Sequence, residues 1–456
     1  MRVRWALGLW GLALAGAWAA AAQPWDSLVG ATGGAFWWQL RLQGLYLSGI
    51  LGIGMMSLVM LLALRQPWME KPLGGMDQVY RLHKWAGIMA AVAAVLHWVA
   101  KESDGWIKDV WGREGQPARD AVLSWATTMR GTAKDVGEWA FYALLLMVVI
   151  TLWQRLLPYK PWRYVHRIMP VLYSLLAFHT AALLPLALWT SPLGVLMGGL
   201  LALGCGGAVW SLLGRIGRGR RSYAARVHAV QLLGKQAGRD PLEVLCAMPA
   251  RWPGHTPGQF VFVSFNGLEG AHPFTVASAP QGCGRSPQGE ELLRLVIKPL
   301  GDYTQVLHAK LQPGQSVRIE GPYGCFDAQG VQGKTQVWIA GGVGITPFLA
   351  LLQARQPGAA GAGAREPVHM HYCTRHADQD VLLPTVRALC ASARPAVQLQ
   401  VHDSAQGDHL KPEHLVRHGA QLDIWLCGPV GLGKAMRQAA RQQRGWRVHQ
   451  EAFQMR

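Results

Sequence analysis

Five stretches of this 456-residue chain carry no charged side chain: 5–25, 42–64, 85–100, 139–154 and the 47 residues of 168–214. A helix rises about 1.5 Å per residue, so about 20 apolar residues cross the hydrocarbon core of a bilayer. The last stretch is long enough for two crossings, and Pro185 with Ser191 and Pro192 supplies the break between them. Six membrane helices are expected. Half of the residues are hydrophobic and only 15% are Asp, Glu, Lys or Arg, against about 25% in soluble domains. An ordinary cytosolic globular protein and a disordered one are both excluded. The formal charge of +18 divides into 17 basic and 10 acidic residues up to position 214, and 27 and 16 after it. No basic block with interleaved aromatics accompanies it, so nucleic acid is not an expected partner. Lys and Arg beside apolar spans are what orientation in a lipid bilayer requires.

The loops give that orientation. Arg65, Lys71, Arg81 and Lys84 flank one connection, Arg155, Lys160, Arg163 and Arg167 a second, and Arg215, Arg218, Arg220 and Arg221 follow the last helix. These alternate loops are expected in the cytoplasm, with the charge-balanced loop 101–138 on the other side. Arg2 and Arg4 ahead of an apolar run ending Ala20-Ala21-Ala22 also read as a signal peptide. A retained first helix is the expectation and cleavage the alternative; the second helix enters from outside in either case.

Histidines stand inside two of these helices. His83 and His97 are 14 residues apart on the third, and His166 and His179 are 13 apart on the fifth. Each pair spans roughly 20 Å of membrane depth. At about 100° per residue a spacing of 14 returns to nearly the same face, whereas 13 misses by about 140° in a regular helix. Pro170 removes the amide that would bond the carbonyl of His166, which changes the helical phase locally. One histidine near a helix end is commonly an interfacial or hydrogen-bonded residue. Four at two matched depths are a different matter, because ionisable groups inside a membrane are costly and functional. They read as two stacked haems, His83 with His166 nearer the cytoplasm and His97 with His179 on the far side. Iron held by two histidines has no open position, which suits electron transfer. Arg81, Lys84, Arg163 and Arg167 either pair with the propionates of the inner haem or only set orientation.

From Tyr223 the pattern changes to short β-rich segments such as 260–265 and 292–297, punctuated by Pro-Gly at 257–258 and 313–314. That spacing predicts a small antiparallel barrel. After Gly333, strands at 336–340 and 368–372 flank a helical stretch at 348–353, the pattern of a parallel α/β sheet, and the low-complexity stretch 356–364 reads as a surface loop. The run His272-Pro273-Phe274-Thr275-Val276-Ala277-Ser278 offers an aromatic and hydroxyls together, as a flavin requires. Gly301-Asp302-Tyr303-Thr304 is a tight turn with amides and a hydroxyl suited to a pyrophosphate, and Gly321-Pro322-Tyr323-Gly324 follows. Then Gly341, Gly342, Gly344, Ile345, Thr346 and Pro347 end one strand and open a helix, where a dinucleotide's pyrophosphate approaches backbone amides. Arg375 lies just past the next strand, placed for a ribose 2′-phosphate, which favours NADPH while leaving NADH possible. Cys427-Gly428-Pro429 follows a later strand and puts a thiol near a nicotinamide, or else the cysteine is simply buried.

These residues together resemble the NADPH oxidase and ferric reductase superfamily, particularly its bacterial members. The resemblance covers nearly the whole chain: the helical histidines, HPFTVAS, GDYT, GGVGITP, Arg375 and CGP. It implies a multidomain membrane protein with a six-helix di-haem bundle over 1–215, an antiparallel β-barrel FAD domain over 216–329, and a ferredoxin-NADP reductase-like α/β nucleotide domain over 330–456. It further implies two b-type haems on His83, His97, His166 and His179, FAD on the HPFT and GDYT segments, NADPH on the glycine turn, and Cys427 beside the nicotinamide. Family chains often end in an aromatic over the flavin, and Phe453 is the candidate here. No EF-hand loop is present, so calcium control is not expected. The seven cysteines include no Cys-x-x-Cys pair, so neither an iron–sulfur cluster nor a disulfide framework is expected.

A single path follows. NADPH gives two electrons as hydride, each haem accepts one, and FAD divides the pair on the way to an acceptor outside the membrane. The expected setting is a bacterial inner membrane with the flavin and nucleotide domains in the cytoplasm. Oxygen is the first acceptor considered and a ferric chelate the second. A third alternative supplies electrons to a quinone or a periplasmic redox protein docking on the loop with Trp106, Trp111 and Trp125, and a fourth is a transporter with regulatory nucleotide binding.

Overall fold

The protein is described by a computed structural model over residues 2–153, 159–214, 216, 221–266, 270–328, 333–359 and 367–450. Arg155, Arg215, Arg218, Arg220, Phe453, the Lys160 side chain and much of the stretch 356–364 lie outside the described residues. The described residues form two compact units, with the main division at 216–217.

The first unit is helical: α1 (Arg2–Ala22), α2 (Gly33–Ala63), α3 (Met76–Trp111), α4 (Ala126–Leu152), α5 (Tyr159–His166), α6 (Met169–Leu183) and α7 (Pro192–Leu212). Among the described residues α1 to α4 and α7 are long and apolar enough to cross a bilayer. The remaining expected crossing is α6, whose 15 residues are preceded by α5. Leu184 turns extended ahead of Pro185, and Pro192 restarts the chain as α7, so the break stands where the prolines placed it.

Small residues let these helices approach closely. The α1 residue Leu14 is buried against Gly54 of α2, where an added Cβ would come within 2.5 Å of it. Trp10 Nε1 donates to the Gly54 carbonyl at 3.2 Å. Gly204 of α7 makes room for the buried Tyr173 hydroxyl, which bonds Ser57 Oγ at 2.9 Å and donates to the Leu200 carbonyl at 3.4 Å.

In the second unit, strands β1 (Ser222–Leu232), β2 (Leu242–Met248), β3 (Phe260–Ser264), β4 (His272–Thr275), β5 (Glu291–Ile297) and β6 (Ser316–Tyr323) form an antiparallel sheet in the order β4-β3-β6-β1-β2-β5. A bridge between Val276 and Leu295 joins its two outer strands and closes the barrel. Alternate inward residues, among them Val244, Val263, Leu293 and Ile319, fill the interior.

Strands β7 (Thr335–Gly341), β8 (Val368–Thr374), β9 (Val397–Asp403), β10 (Leu422–Cys427) and β11 (Arg447–Gln450) follow as a parallel sheet, ordered β11-β10-β7-β8-β9. β7 and β10 are buried almost throughout, as strands covered on both faces must be. One face packs Trp338, Met370 and Tyr372 under α8 (Thr346–Gln353) and α9 (Leu383–Ser392). The other packs Ile339, Ile424 and Leu426 under α10 (Val430–Gln442) and the 3-10 stretch Pro412–His418. The chain reverses its direction across the sheet between β7 and β10, and the crevice at their carboxyl ends is where open α/β sheets bind ligands.

Candidate functional site

In the helical unit the four histidines meet in two pairs. The rings of His83 and His166 have centroids 6.3 Å apart at 67°, and those of His97 and His179 are 6.1 Å apart at 82°. A metal bonded to two imidazoles spans about 6.2 Å between ring centres, from about 2.0 Å for each metal–nitrogen bond and about 1.1 Å from nitrogen to ring centre. Both pairs fit that span. The 13-residue spacing is interrupted by a break in the helix. Arg167 N and Ile168 N bond three residues back, to Tyr164 O at 3.2 Å and Val165 O at 3.0 Å, between α5 and α6. These tighter turns rotate the chain faster than α-helix, by about 20° per residue, which supplies part of the phase change between His166 and His179, and both rings meet histidines of α3.

Hydrogen bonding fixes which nitrogen is free. His83 Nδ1 donates to Val59 O at 3.1 Å, His97 Nδ1 to Leu45 O at 3.0 Å and His179 Nδ1 to Ala133 O at 2.7 Å. A carbonyl only accepts, so Nδ1 holds the proton and Nε2 keeps its lone pair, the arrangement that second-shell partners impose on metal-binding histidines. His166 has its Nδ1 buried without a hydrogen-bond partner among the described residues, and Trp162 stacks on its ring at 5.1 Å. Two glycines back the outer pair. A Cβ on Gly137 would overlap the His179 imidazole, and one on Gly49 would lie 3.2 Å from that of His97. Donor set, spacing and cradle all suit a haem in each gap.

A cavity of about 960 Å³ opens beside the outer pair, lined among others by His97, His179, Tyr46, Asp120 and Arg130. That volume lies at the upper end for a cofactor site. Tyr46 OH bonds the Asp120 carboxylate, Arg130 Nη1 donates to Asp120 O at 3.1 Å, and Arg41 pairs with Asp104 at 3.1 Å. Arg113, Arg119 and Lys134 also line it and make no ion pair among the described residues. Nearer the other pair, the Arg163 and Arg167 guanidiniums both lie 5.3 Å from the Tyr164 ring centre.

The flavin motif spans an edge of the barrel. His272, Pro273 and Phe274 are half-buried on β4, and Tyr303 stacks on His272 at 4.5 Å and 17°. Thr275 is buried, and Val276, Ala277 and Ser278 are fully so, backbone included, with Val276 N and Ala277 N bonded to Gln259 O at 2.9 Å and Arg294 O at 2.8 Å. Ser278 O accepts a bond from buried His255 Nε2 at 2.8 Å. Burial holds that imidazole below its usual pKa. The Thr304 hydroxyl accepts from Leu300 N at 2.9 Å and Gly301 N at 3.2 Å, so it braces the turn itself.

The nucleotide motifs converge at the switch point of the parallel sheet. Gly341 and Gly344 close on the Cys427-Gly428-Pro429 turn: a Cβ on Gly341 would come 2.5 Å from Pro429 Cδ, and one on Gly344 would overlap the Cys427 carbonyl. Gly342 has φ +55°, a conformation that favours glycine. Ile345, Thr346 and Pro347 are buried as the turn enters α8, and Thr346 Oγ1 donates to Val343 O at 3.0 Å. Arg375 is exposed one residue beyond β8, and Cys427 is buried at the end of β10.

The sequence reading missed Lys298. Its Nζ lies 4.0 Å from where a Cβ on Gly342 would stand, an exposed cation from the barrel at the turn where a pyrophosphate would sit. Its place three residues before Gly301 was the available signal. The reading also missed Gly49 and Gly137, which nothing in their local sequence distinguishes from other helical glycines.

Residues 48–177 match the ferric reductase like transmembrane component family, and residues 223–327 match an FAD-binding domain family. Among curated proteins, the chain is 26% identical over 196 residues to the toluate 1,2-dioxygenase electron transfer component of Pseudomonas putida, covering 41% of this chain and 54% of that one. It is 29% identical over 231 residues to a flavohemoprotein of Chromobacterium violaceum, covering 44% and 53%. The chain thus spans about half the length of these curated relatives. Among solved structures, the flavohem-like FAD/NAD binding domain of nitric oxide dioxygenase from Vibrio cholerae O1 biovar El Tor matches 51% of this chain and 100% of its own, at 19% identity and a TM-score of 0.38. A ferric reductase-like transmembrane component followed by an FAD-binding domain is the NADPH oxidase/ferric reductase-type architecture, and this chain is a multi-pass membrane protein that carries it.

Proposed function

We propose that this chain is a transmembrane NAD(P)H-dependent oxidoreductase that carries electrons from NADPH, or NADH, on the cytoplasmic side of a bacterial inner membrane to an acceptor outside it. The observation that carries the reading is the pair of imidazole gaps, 6.3 and 6.1 Å between ring centres, at two depths of one helical unit. We assign His83 with His166 and His97 with His179 to two b-type haems, and the segments 272–278 and 301–304 to FAD. When bound, FAD takes up a hydride's electron pair and the haems pass electrons singly. The domain limits proposed are 1–215, 216–329 and 330–456.

The chain's own residues do the rest. Val59, Leu45 and Ala133 orient three of the four imidazoles that would hold the haems, through their carbonyls. The turn at Gly341, Gly342 and Gly344 presents backbone to the nucleotide pyrophosphate, Lys298 brings a positive charge to it, and Arg375 meets the 2′-phosphate. Cys427 and Pro429 close the crevice from β10. Basic loops beside 65–84 and 155–167 favour a cytoplasmic flavin and nucleotide unit.

Oxygen is the acceptor proposed first, giving superoxide. Arg113, Arg119 and Lys134 beside the outer pair favour an anionic ferric chelate as the second reading. The deciding measurement is an anaerobic absorbance spectrum of detergent-purified protein with FAD, before and after NADPH, then after air. Low-spin haem bands that sharpen with NADPH and fade with air support the reading. A flavin that bleaches while haem bands stay oxidised or absent overturns the membrane half. Superoxide yield against saturation by a ferric chelate then separates the two acceptors.

A further inference from the structure

Seven of the 16 histidines lie between 369 and 418. His369 and His371 share one face of β8, His402 lies on neighbouring β9, and His414 and His418 belong to the stretch Pro412–His418 packed on that face. Among the described residues no three metal-binding side chains converge, and the cluster is a chain of hydrogen bonds instead. The Asp408 carboxylate sets its direction. His402 Nδ1 donates to Asp408 Oδ1 at 3.0 Å, so His402 Nε2 accepts from His371 Nδ1 at 3.0 Å, and His371 Nε2 accepts from His418 Nε2 at 3.0 Å. One proton sits in every link. An added proton on His371 or His402 turns an accepting nitrogen into a donor aimed at another N–H, so neither of these two rings tolerates one within the chain.

The same turn holds the Arg375 backbone. Asp408 N donates to Asp403 O at 3.1 Å, closing residues 403–408. Buried Asp403 accepts from Ala377 N through Oδ2 and from Ala405 N through Oδ1, each at 3.0 Å. Ala405 N also donates to Arg375 O at 3.0 Å, and Ser404 Oγ to Thr374 O at 3.2 Å. The turn carrying Arg375 therefore hangs on residues 403–408, whose far end is the anchor of the histidine chain.

We propose that Asp403 and the chain His418–His371–His402–Asp408 are positioning residues for Arg375, and that they make the preference for a 2′-phosphorylated nucleotide dependent on pH. This rests on Arg375 as the 2′-phosphate ligand. The groups facing the chain are His369 and Cys373 from β8, Arg417 and His414 from the stretch that covers it, and His409 beside Asp408. Burial, with His402, His418, Arg417 and His369 around it, holds His371 down at about 3, and burial with His369 and Arg417 holds His418 at about 4. Asp408 is lowered, chiefly by the bond from His402. Opened, the histidines return to their ordinary value of about 6.5, so the packed form is complete above that pH and is lost as pH falls from there toward 4. Opening gains up to about tenfold per histidine per pH unit. Hydride oxidation, NADPH → NADP⁺ + H⁺ + 2e⁻, leaves its proton in the nucleotide's compartment while the electrons depart, so turnover acidifies the side on which this chain stands.

The test uses detergent-purified full-length protein. Calorimetric Kd values for NADP⁺ and NAD⁺ are taken from pH 8 to 5.5, and hydrogen exchange of amides 404–418 is followed over the same range. The 2′-phosphate titrates on its own near pH 6, so Asp408→Ala, which removes the anchor of the histidine chain, and Asp403→Asn, which weakens its link to Arg375, are the controls in which that titration dominates. In the native protein the NADP⁺ preference should fall more steeply than in either variant, with protection of 404–418, taken relative to the intrinsic exchange rate at each pH, falling below pH 6.5. At pH 7.5 both variants should already have lost about threefold of the preference. Identical preference and pH slope in native protein and both variants overturn the proposal, as does a protection factor for 404–418 that does not change with pH. Arg375→Ala at pH 7.5 is read separately: an unchanged NADP⁺ preference sinks the ligand assignment, while the exchange profile still reports on the histidine chain.

Discussion

The molecule holds two sets of histidines that solve opposite problems. In the helical unit the rings face each other across about 6 Å with three of four Nδ1 protons given to backbone carbonyls. In the nucleotide unit ring nitrogens bond one another at 3.0 Å. The first set keeps lone pairs unspent and a gap the width of one metal ion; the second spends both nitrogens of His371 and of His402 on its own links and leaves no room for a ligand between them. Histidine count alone would have ranked the second set first, since it is larger and denser. What separates them is the fate of the second nitrogen. A carbonyl partner frees Nε2 for a metal, and an imidazole partner consumes it.

The sharpest way to break this comparison is to delete one ring from each set. His97→Ala or His179→Ala should reduce haem from two to one per chain, by pyridine haemochrome, and lower acceptor reduction at least about a hundredfold. His371→Asn should leave both haems in place. Equal haem loss from both deletions would mean the nitrogen argument separates nothing.

Next in size is a pair of substitutions that add a single methyl behind the outer rings. Gly137→Ala puts its Cβ into the His179 imidazole, so the outer haem should be lost or turn high-spin. Gly49→Ala stands 3.2 Å from the His97 ring, where a shift of a few tenths of an ångström suffices, and should move the outer midpoint potential while keeping both haems. Equal spectra for the two variants would refute the cradle.

A tenfold effect is expected at the nucleotide turn. Lys298→Ala removes a charge near a pyrophosphate that both nucleotides share, so KM should rise about tenfold for NADPH and NADH alike. Arg375→Ala should raise the NADPH value by a similar factor and leave NADH nearly unchanged. If Lys298→Ala discriminates between the nucleotides, the cation serves some other group.

Much of this was legible because it is periodic or local. Charge-free runs marked the helices, Pro185 and Pro192 marked the break, and glycine-rich turns marked strand ends at Gly341 and Gly428. That His166 and His179 both meet α3 across a spacing of 13 was only half legible, because the helix break at Arg167 and Ile168 that lies between them is encoded by no periodicity. Thr304 looked like a free hydroxyl and is instead committed to its own turn. Lys298, Gly137 and Asp403 were invisible for one reason: each acts on a residue distant in sequence, and a single sequence reports spacing along the chain, not proximity across it. The sequence reading passed over the dense second set, whose partners on β9 and on 412–418 no spacing along the chain reveals.

The smallest predicted effect tests that second set as packing. His371 is buried and held well below its ordinary pKa, so below about 6.5 each pH unit should cost the sheet about 1.4 kcal/mol as the unfolded form takes up the proton first. The more exposed His418 adds less. Asp423 supplies the contrast within the same sheet. Its buried carboxylate accepts from His449 Nε2 at 2.9 Å and Trp425 Nε1 at 2.8 Å, and these bonds hold it below the usual range against the opposing effect of burial. A lowered carboxylate keeps its contribution until pH falls through its folded value, below about 4. Protection of β8 and β9, taken relative to the intrinsic exchange rate at each pH, should therefore fall between pH 6.5 and 5 while that of β10 holds until the solution is more acid. Simultaneous loss of all three strands would show that the sheet opens as one cooperative body and that the histidine chain has no local stability of its own.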